Sequence, residues 1–259
     1  MVDIQDVKKF WDSRPCNIRH SNLPVGSIEY FNEVEARKYF IEPHIPEFAD
    51  FSSWRGNSVL EIGAGIGTDA VNFVRAGALY TGIEISEESL NLARKRFEVF
   101  GLSGELDFAN AENCTKVLSG RTFDLIYSFG VLHHTPNIEL ALAEIRKLSH
   151  EKTRLKIMVY AKDSYKDILI RGGFDQPEAQ NGCPIANTYS KEEITALLNS
   201  AGFSILEIRK DHLFKYNIEK YINYQYEFEP WFNAMPKDLL SLLEKNLGWH
   251  MLIDASISR

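Results

Sequence analysis

A glycine-rich turn between an apolar run and a helical segment constrains the fold of this chain more than any other feature. The run Ser58–Ile62 has the pattern of a buried strand, and Gly63, Gly65 and Gly67 follow it. Glycine lacks the Cβ atom that would keep a ligand away from the backbone, and it adopts the unusual dihedral angles that such a turn needs. The turn therefore predicts a ligand site, although a tight strand-to-helix turn without a ligand has the same pattern.

The glycine spacing and the acid before it distinguish between ligands. A dinucleotide site has the pattern Gly-x-Gly-x-x-Gly, with the pyrophosphate at the N-terminus of the following helix. Here the third glycine comes one residue early, and Thr68 stands where the pattern needs glycine. Glu61 lies just before the glycines, where it would repel a pyrophosphate but would suit a ligand with a positive amino group. A nicotinamide-dependent oxidoreductase remains the alternative.

Short apolar runs alternate with longer amphipathic segments from residue 57 onward. This alternation predicts an α/β fold with a doubly wound, mostly parallel sheet that helices cover on both faces. The predicted strands are 58–62, 79–84, 105–109, 123–128, 154–160, 203–208 and 249–255. The predicted helices are 4–11, 30–41, 68–75, 87–100, 137–148, 191–200 and 236–245.

Four motifs in chain order resemble those of class I S-adenosylmethionine-dependent methyltransferases: Glu61-x-Gly-x-Gly-x-Gly67, the acid Glu84, the Asn-Ala-Glu of 110–112, and the strand 123–128 leading into 131–136. The resemblance implies a Rossmann-like, seven-stranded sheet with an antiparallel last strand. It also implies S-adenosyl-L-methionine as cofactor and S-adenosyl-L-homocysteine as product. The implied cofactor-binding residues are Glu61, Gly63, Ala64, Gly65, Gly67, Thr68, Asp69, Glu84, Ile85, Asn110, Ala111, Glu112, Ser128, Tyr30 and Arg37.

Several of these positions keep a second interpretation. The resemblance assigns Glu84 to the ribose hydroxyls and 110–112 to the adenine edge, but a solvated strand end and an ordinary turn are the alternatives. Asp69 in the first helical turn could simply complement the helix dipole. Arg37 could hold the cofactor's carboxylate through a bidentate contact, or it could pair with Glu33 four residues earlier.

Segments 14–20, 29–39 and 178–184 further resemble a bacterial subgroup of these methyltransferases.

The chain divides into a helical extension at 1–56 and a methyltransferase domain at 57–259. Two insertions interrupt the domain at 161–190 and 212–235, and the first is rich in Gly, Asn, Gln and Pro and looks irregular. Within the second, residues 213–232 include eight aromatic side chains among 20 positions. This stretch predicts either a lid or an aromatic cage for a cation, or the ordinary packing of a helical insertion.

Two adjacent histidines, His133 and His134, are the candidate catalytic residues. They follow the fourth predicted strand, at the edge where doubly wound sheets bind ligands. A histidine can take a proton from a hydroxyl or an amine during methyl transfer, but packing under the cofactor loop and helix capping are the alternatives. We expect no metal at this pair, because adjacent histidine side chains diverge. Further residues that could line a substrate pocket are His20, Tyr160, Gln180, Cys183 and His212.

The composition of the chain limits which classes of molecule can be the methyl acceptor. The formal charge is −7 and no basic cluster is visible, which disfavours nucleic acid. The Asn/Asp-Pro-Pro-aromatic turn of base amino-methylation is absent after the fourth strand. We therefore expect methyl transfer to an O or N atom of a small molecule, such as a sugar, a lipid precursor or a secondary metabolite. A non-catalytic cofactor-binding protein is a further alternative.

Two further features of the composition concern the membrane and the cellular compartment. The longest stretch without a charged residue, 125–138, is too short and too polar to span a bilayer. Cys16, Cys114 and Cys183 are widely spaced and odd in number, which is typical of reduced thiols in a cytoplasmic protein. The sequence does not predict the oligomeric state.

Overall fold

The computed structural model describes residues 2–174, 182–223 and 225–258, so the predictions for Gln180 and Tyr224 lie outside the described residues. A single sheet has the order β3-β2-β1-β4-β5-β8-β7, and the short β6 pairs with β5. Its strands are β1 (Ser58–Ile62), β2 (Leu79–Glu84), β3 (Glu105–Phe108), β4 (Phe123–Phe129), β5 (Ser149–Ala161), β6 (Thr188–Tyr189), β7 (Phe203–Asp211) and β8 (His250–Ile257).

Helices cover both faces of the sheet. They are α1 (Ile4–Ser13), α2 (Ile28–Ile41), α3 (His44–Ala49), α4 (Thr68–Ala76), α5 (Glu87–Phe100), α6 (Thr115–Leu118), α7 (Ile138–Lys147), α8 (Tyr165–Arg171), α9 (Lys191–Ser200), α10 (Ile218–Tyr221), α11 (Pro230–Asn233) and α12 (Lys237–Leu247). None of the helices in the described ranges has both the length and the apolar character that crossing a membrane requires.

The strand directions confirm the predicted fold. Strands β1 to β6 pair only in parallel among themselves, whereas β8 is antiparallel to both β5 and β7. The sheet has the seven predicted strands and adds the two-residue β6. Because the chain order reverses between β1 and β4, the carboxyl ends of these strands open a crevice of the kind that binds ligands in such sheets.

Successive side chains of the central strands point to opposite faces of the sheet and pack into two separate hydrophobic cores. Leu60 and Ile62 of β1 pack on one face, and Val59 packs on the other. A strand whose successive side chains are apolar on both faces has its lowest free energy when both faces are covered. This burial holds β1 rigidly, so the glycine turn that follows it has a fixed position.

The extension 1–56 is tied to the sheet domain through Arg96. This side chain on α5 is fully buried, and its Nη2 donates to the carbonyl of Phe31 on α2 at 2.8 Å. Its Nη1 donates to Thr68 Oγ1 at the start of α4, at 2.6 Å. One guanidinium thus joins α2, α4 and α5, because its fixed fork of donors reaches several acceptors at once. The contact brings α2 beside the glycine turn.

Both predicted insertions contain more regular structure than their composition indicates. The region 161–190 includes α8, which begins after the cap Ser164, and the strand β6. The aromatic stretch forms α10 and α11, and Phe214, Tyr216 and Tyr221 pack with Ile41 of α2. Strand β5 also begins at Ser149, five residues before the predicted 154, because backbone pairing extends through its polar start.

Candidate active site

The glycine turn is held tightly between neighbouring loops. Gly63 N–H donates to the carbonyl of Ile83 at 2.8 Å, and its φ of 78° lies in the left-handed region. A Cβ atom at Gly63 would lie 2.2 Å from Val131 Cγ2, so no other residue fits there without displacing the loop after β4. A Cβ at Gly65 would meet no protein atom within 4 Å, which leaves open space beside the turn for a ligand.

A cavity opens beside the glycine turn, at the carboxyl ends of β1, β2 and β4. The lining residues that the sequence predicted are Glu61, Gly63, Ala64, Gly65, Thr68, Asp69, Glu84, Ile85, Asn110 and Ala111. The structure adds Ile4, Val7 and Trp11 of α1, which cover the cavity from the N-terminal extension. We call this space the first cavity.

Glu84 connects the glycine turn to the β2–α5 turn. Its Oε2 accepts the Gly65 N–H at 2.8 Å, and its Oε1 accepts the N–H groups of Ile85 and Ser86 at 2.8 and 2.9 Å. Burial raises the pKa of Glu84, although these three N–H donors favour its charged form. A carboxylate offers about four acceptor positions, so one remains for a ligand hydroxyl.

Glu61 is a buried acid at the base of the first cavity. Its Oε2 accepts a hydrogen bond from Tyr80 Oη at 2.6 Å. Burial, reinforced by the Asp69 carboxylate, raises the pKa of Glu61 to about 8. The group therefore carries only part of its negative charge at neutral pH, and a nearby ligand ammonium would stabilise the ionised form.

Asp69 is a second buried acid, and its charge is paired. Lys38 Nζ of α2 lies 2.7 Å from Asp69 Oδ1, and the hydroxyls of Tyr39 and Tyr127 donate to the two oxygens at 2.9 and 3.0 Å. Burial by itself lowers the pKa of Lys38, but the Asp69 and Glu42 carboxylates outweigh it and the pKa is raised. Asp69 thus forms a buried ion pair with Lys38 and accepts two tyrosine hydrogen bonds, in addition to lying at the positive end of a helix dipole.

Five of the predicted cofactor residues lie behind the wall of the first cavity rather than on it. Gly67, Glu112, Ser128, Tyr30 and Arg37 are not among its lining residues. The Glu112 carboxylate accepts the N–H of Asn137, the N-cap residue of α7, at 2.6 Å. The Ser128 hydroxyl donates to the Ile62 carbonyl at 3.1 Å.

The two residues predicted on α2 also have structural partners. The Tyr30 hydroxyl donates to the Ile18 carbonyl at 2.8 Å, and its ring is fully buried. Arg37 Nη2 lies 3.5 Å from Glu33 Oε1, which is the pairing that its helical spacing allows. A contact of Arg37 with a cofactor carboxylate stays a prediction. Asn110 does line the cavity, but its side chain accepts the Glu112 N–H at 3.0 Å.

The two candidate histidines differ in their surroundings. His133 is fully buried, its ring stacks on Tyr160 with 3.7 Å between ring centres, and its nitrogens have no hydrogen-bond partner within the described ranges. His134 lines the first cavity, and its Nδ1 lies 2.5 Å from the Ile185 carbonyl. Since a carbonyl only accepts, Nδ1 carries the proton and Nε2 is the basic nitrogen. A chemical role for either histidine stays a prediction, and His134 is the one of the two that lines the cavities.

A second cavity adjoins the first. The residues that line both are Trp11, Cys16, Asn17, Lys38, Phe129, Gly130 and His134. The second cavity continues past Met158 and Tyr160 of β5 to Trp249 and Phe214. Its charged lining residues are Arg14, Arg19, Lys38, Lys166 and Glu42. Of the predicted pocket residues, His20, Tyr160 and His212 line it, whereas Cys183 lies against His134, with 3.4 Å from Sγ to Nδ1.

Sequence reasoning missed Lys38, Trp11 and Lys166. The apolar positions Ile4, Val7 and Trp11 have helical spacing and predict a buried face on α1, but they do not say what the face covers. Lys38 and Lys166 belong to no motif, so only the folded chain brings them to the cavities.

The sheet order, the glycine turn and the adjoining cavities define the Rossmann-like fold of a class I methyltransferase. A family model described as "Methyltransferase domain" matches residues 34–208. The chain therefore belongs to this methyltransferase family, and the prediction of a class I S-adenosylmethionine-dependent enzyme is confirmed.

Individual relatives agree with this family. O-methyltransferase rstn1 of Aspergillus nomiae is 27% identical over 161 residues, which are 60% of this chain and 68% of that protein. Methyltransferase GfsG of Streptomyces halstedii is 28% identical over 160 residues, which are 59% of this chain and 55% of that protein. The matches thus cover about half to two thirds of the length of these curated relatives.

A solved structure shares the fold. Magnesium protoporphyrin IX methyltransferase from Synechocystis, with bound S-adenosylhomocysteine, superposes with a TM-score of 0.63. The two sequences are 16% identical, and the superposition covers 99% of this chain and 100% of the other.

Proposed function

We propose that this protein transfers the methyl group of S-adenosylmethionine to an O or N atom of a small molecule in the second cavity. The observation that carries the proposal is the wall that the two cavities share, which includes His134, Lys38 and Phe129. A donor in the first cavity and an acceptor in the second would meet there. Holding two reactants in the right geometry contributes a large part of the rate of such a reaction.

The first cavity fits the cofactor. The open space beside Gly65 lets a ligand approach the backbone, and the remaining acceptor position of Glu84 suits a ribose hydroxyl. Glu61 suits the amino group at the other end of the cofactor. When bound, S-adenosylmethionine supplies an electrophilic methyl group.

The chain's own residues would position the acceptor and receive its proton. His134 is neutral at pH 7, because burial lowers its pKa to about 4. Its Nε2 would take the proton from the acceptor hydroxyl or amine as the methyl group is transferred. An oxygen acceptor is favoured, because four of the matched relatives are named O-methyltransferases, whereas two are named C-methyltransferases.

Calorimetry and isotope labelling test the proposal. S-Adenosylhomocysteine should bind with one site per chain, and NAD should not bind. The chain should then transfer label from methyl-labelled S-adenosylmethionine to a compound in a small-molecule extract, and the labelled product identifies the acceptor. Binding of NAD alone would support the oxidoreductase, and cofactor binding without labelling of any extract would support a non-catalytic role.

A further inference from the structure

A cluster of imidazoles lines the second cavity, and the centre of the His250 ring lies 5.5 Å from that of the Phe129 ring in the wall that the two cavities share. His212 follows β7, His250 begins β8, and Glu42 follows α2. One ligand atom from each of these three residues lies within 4.8 Å of the other two. His250 Nε2 and Glu42 Oε1 are 3.6 Å apart. All three residues line the second cavity.

We propose that Glu42, His212 and His250 form a binding site for a divalent transition-metal ion, with zinc as the best match, which holds an oxygen donor of the methyl acceptor. Two histidines and one carboxylate are a ligand set of catalytic zinc sites, which leave a fourth position open. The second half of this inference, that the ion holds the acceptor, rests on the proposed function; the binding of the ion does not.

The distances suit coordination with little rearrangement. Ligands about 2.0 to 2.2 Å from a tetrahedral zinc ion lie about 3.4 Å from one another. The separation between His250 Nε2 and Glu42 Oε1 is already 3.6 Å. The ring of His212 stacks against His250 at 4.5 Å between centres, and its ligand atom lies within 4.8 Å of those of the other two residues.

His44 and Asp211 lie behind the His250 ring, on the side away from Glu42, where a partner could fix the tautomer of His250. His250 Nδ1 lies 3.0 Å from His44 Nε2, and His44 Nδ1 lies 3.8 Å from Asp211 Oδ1. Metal-binding histidines normally donate their other ring N–H to a hydrogen-bond acceptor, which fixes the tautomer, and the unprotonated Nε2 of His44 would be that acceptor here. In this chain Asp211 and His44 would hold the proton of His250 on Nδ1 and leave Nε2 for the ion.

The charges around the cluster match an ion that binds an anionic acceptor. Lys166 also lines the second cavity, and its Nζ lies 4.8 Å from the centre of the Phe214 ring and 5.7 Å from that of Trp249. An acceptor with an acidic hydroxyl or a carboxylate would suit both the ammonium group of Lys166 and the metal ion.

The test measures metal binding without any turnover. The full chain is stripped with a chelator and titrated with Zn²⁺ and, separately, with Co²⁺, whose visible absorption reports its ligands. We expect one tight ion per chain and the spectrum of a histidine-bound Co²⁺. His212→Ala and Glu42→Gln should each lower the Zn²⁺ affinity at least 100-fold, and His44→Gln should lower it about 10- to 100-fold.

A matched control lies at the opposite end of β5. His150 pairs with Asp124 at 3.2 Å, far along the strand from Tyr160, so His150→Ala should leave Zn²⁺ affinity unchanged. His212 is partly exposed to the cavity, so its alanine variant should fold even if a His250 variant does not. Equal affinity in the wild type and in His212→Ala, or no bound ion at all, overturns the metal site.

The same samples separate this proposal from the proposed function. Titration with S-adenosylhomocysteine is repeated in the presence of the chelator. Unchanged cofactor binding together with no metal binding rejects the metal site alone. Loss of cofactor binding from the intact chain, with or without metal, rejects the proposed function.

Discussion

The buried pair of Lys38 and Asp69 allows a sharp test of how this site is held together. The side chains of Lys38 and Asp69 are 12% and 1% exposed, so replacing Lys38 by Met leaves a carboxylate without its cation. Removing one partner of such a pair costs about 3 to 5 kcal/mol of folding free energy. Asp69 keeps two tyrosine hydroxyls at 2.9 and 3.0 Å, which places the expected loss at the lower end, about 3 kcal/mol.

The expected loss depends on pH. The variant can relieve its unpaired charge by protonating the carboxylate, and each unit by which the pH falls lowers the free-energy cost of protonation by about 1.4 kcal/mol. The difference in stability between the wild type and Lys38→Met should therefore shrink as the pH falls from 7 to 5.

Urea unfolding followed by circular dichroism measures these differences. Lys95→Met is the control, because Lys95 pairs with Glu98 at 3.1 Å on the surface and such pairs contribute about 0 to 1 kcal/mol. The double variant Lys38→Met/Asp69→Asn should recover part of the stability. A loss below about 1 kcal/mol for Lys38→Met at pH 7, with no recovery in the double variant, refutes the reasoning.

Three further predictions concern the first cavity. Glu84→Ala should weaken S-adenosylhomocysteine binding about 10-fold or more, since a hydrogen bond to a charged group contributes about 1.5 to 3 kcal/mol; unchanged affinity by calorimetry would mean that Glu84 does not contact the ligand. His134→Ala should lower kcat at least 100-fold with little change in cofactor affinity, whereas His133→Ala should lower thermal stability instead. Equal losses of turnover and affinity for His134→Ala contradict its role as base. Glu61, whose pKa is raised to about 8, should release a proton when a ligand ammonium binds at pH 7, so the binding enthalpy should vary with the ionisation enthalpy of the buffer. The Glu61→Gln variant should lose that dependence. Because the folded pKa of Glu61 lies above its unfolded value of 4.5, its contribution to stability is present below pH 4.5 and is lost progressively as the pH rises to 8; Glu61→Gln should remove this loss in unfolding experiments.

Local patterns predicted the site in part. The residues next to the glycine turn line the first cavity, because a strand, a tight turn and a helix fix their positions through short-range geometry alone. Some of the assigned side chains do not line the first cavity and have another partner nearby. Glu112 accepts the N–H of Asn137, the N-cap residue of α7, and Arg37 pairs with Glu33 on its own helix. A sequence motif gives a residue's position along the backbone but not the competition for its side chain.

The sequence by itself determined the sheet, the order of its strands along the chain and the cofactor turn. These depend on hydrophobic periodicity and on glycine geometry, which are properties of neighbouring residues. Only the tertiary structure decided which residues line the second cavity. His44 and His250 are 206 positions apart, and they meet because the antiparallel β8 inserts between β5 and β7 and brings His250 next to the start of α3. Contacts of that range depend on how the whole chain packs, and no local pattern encodes them.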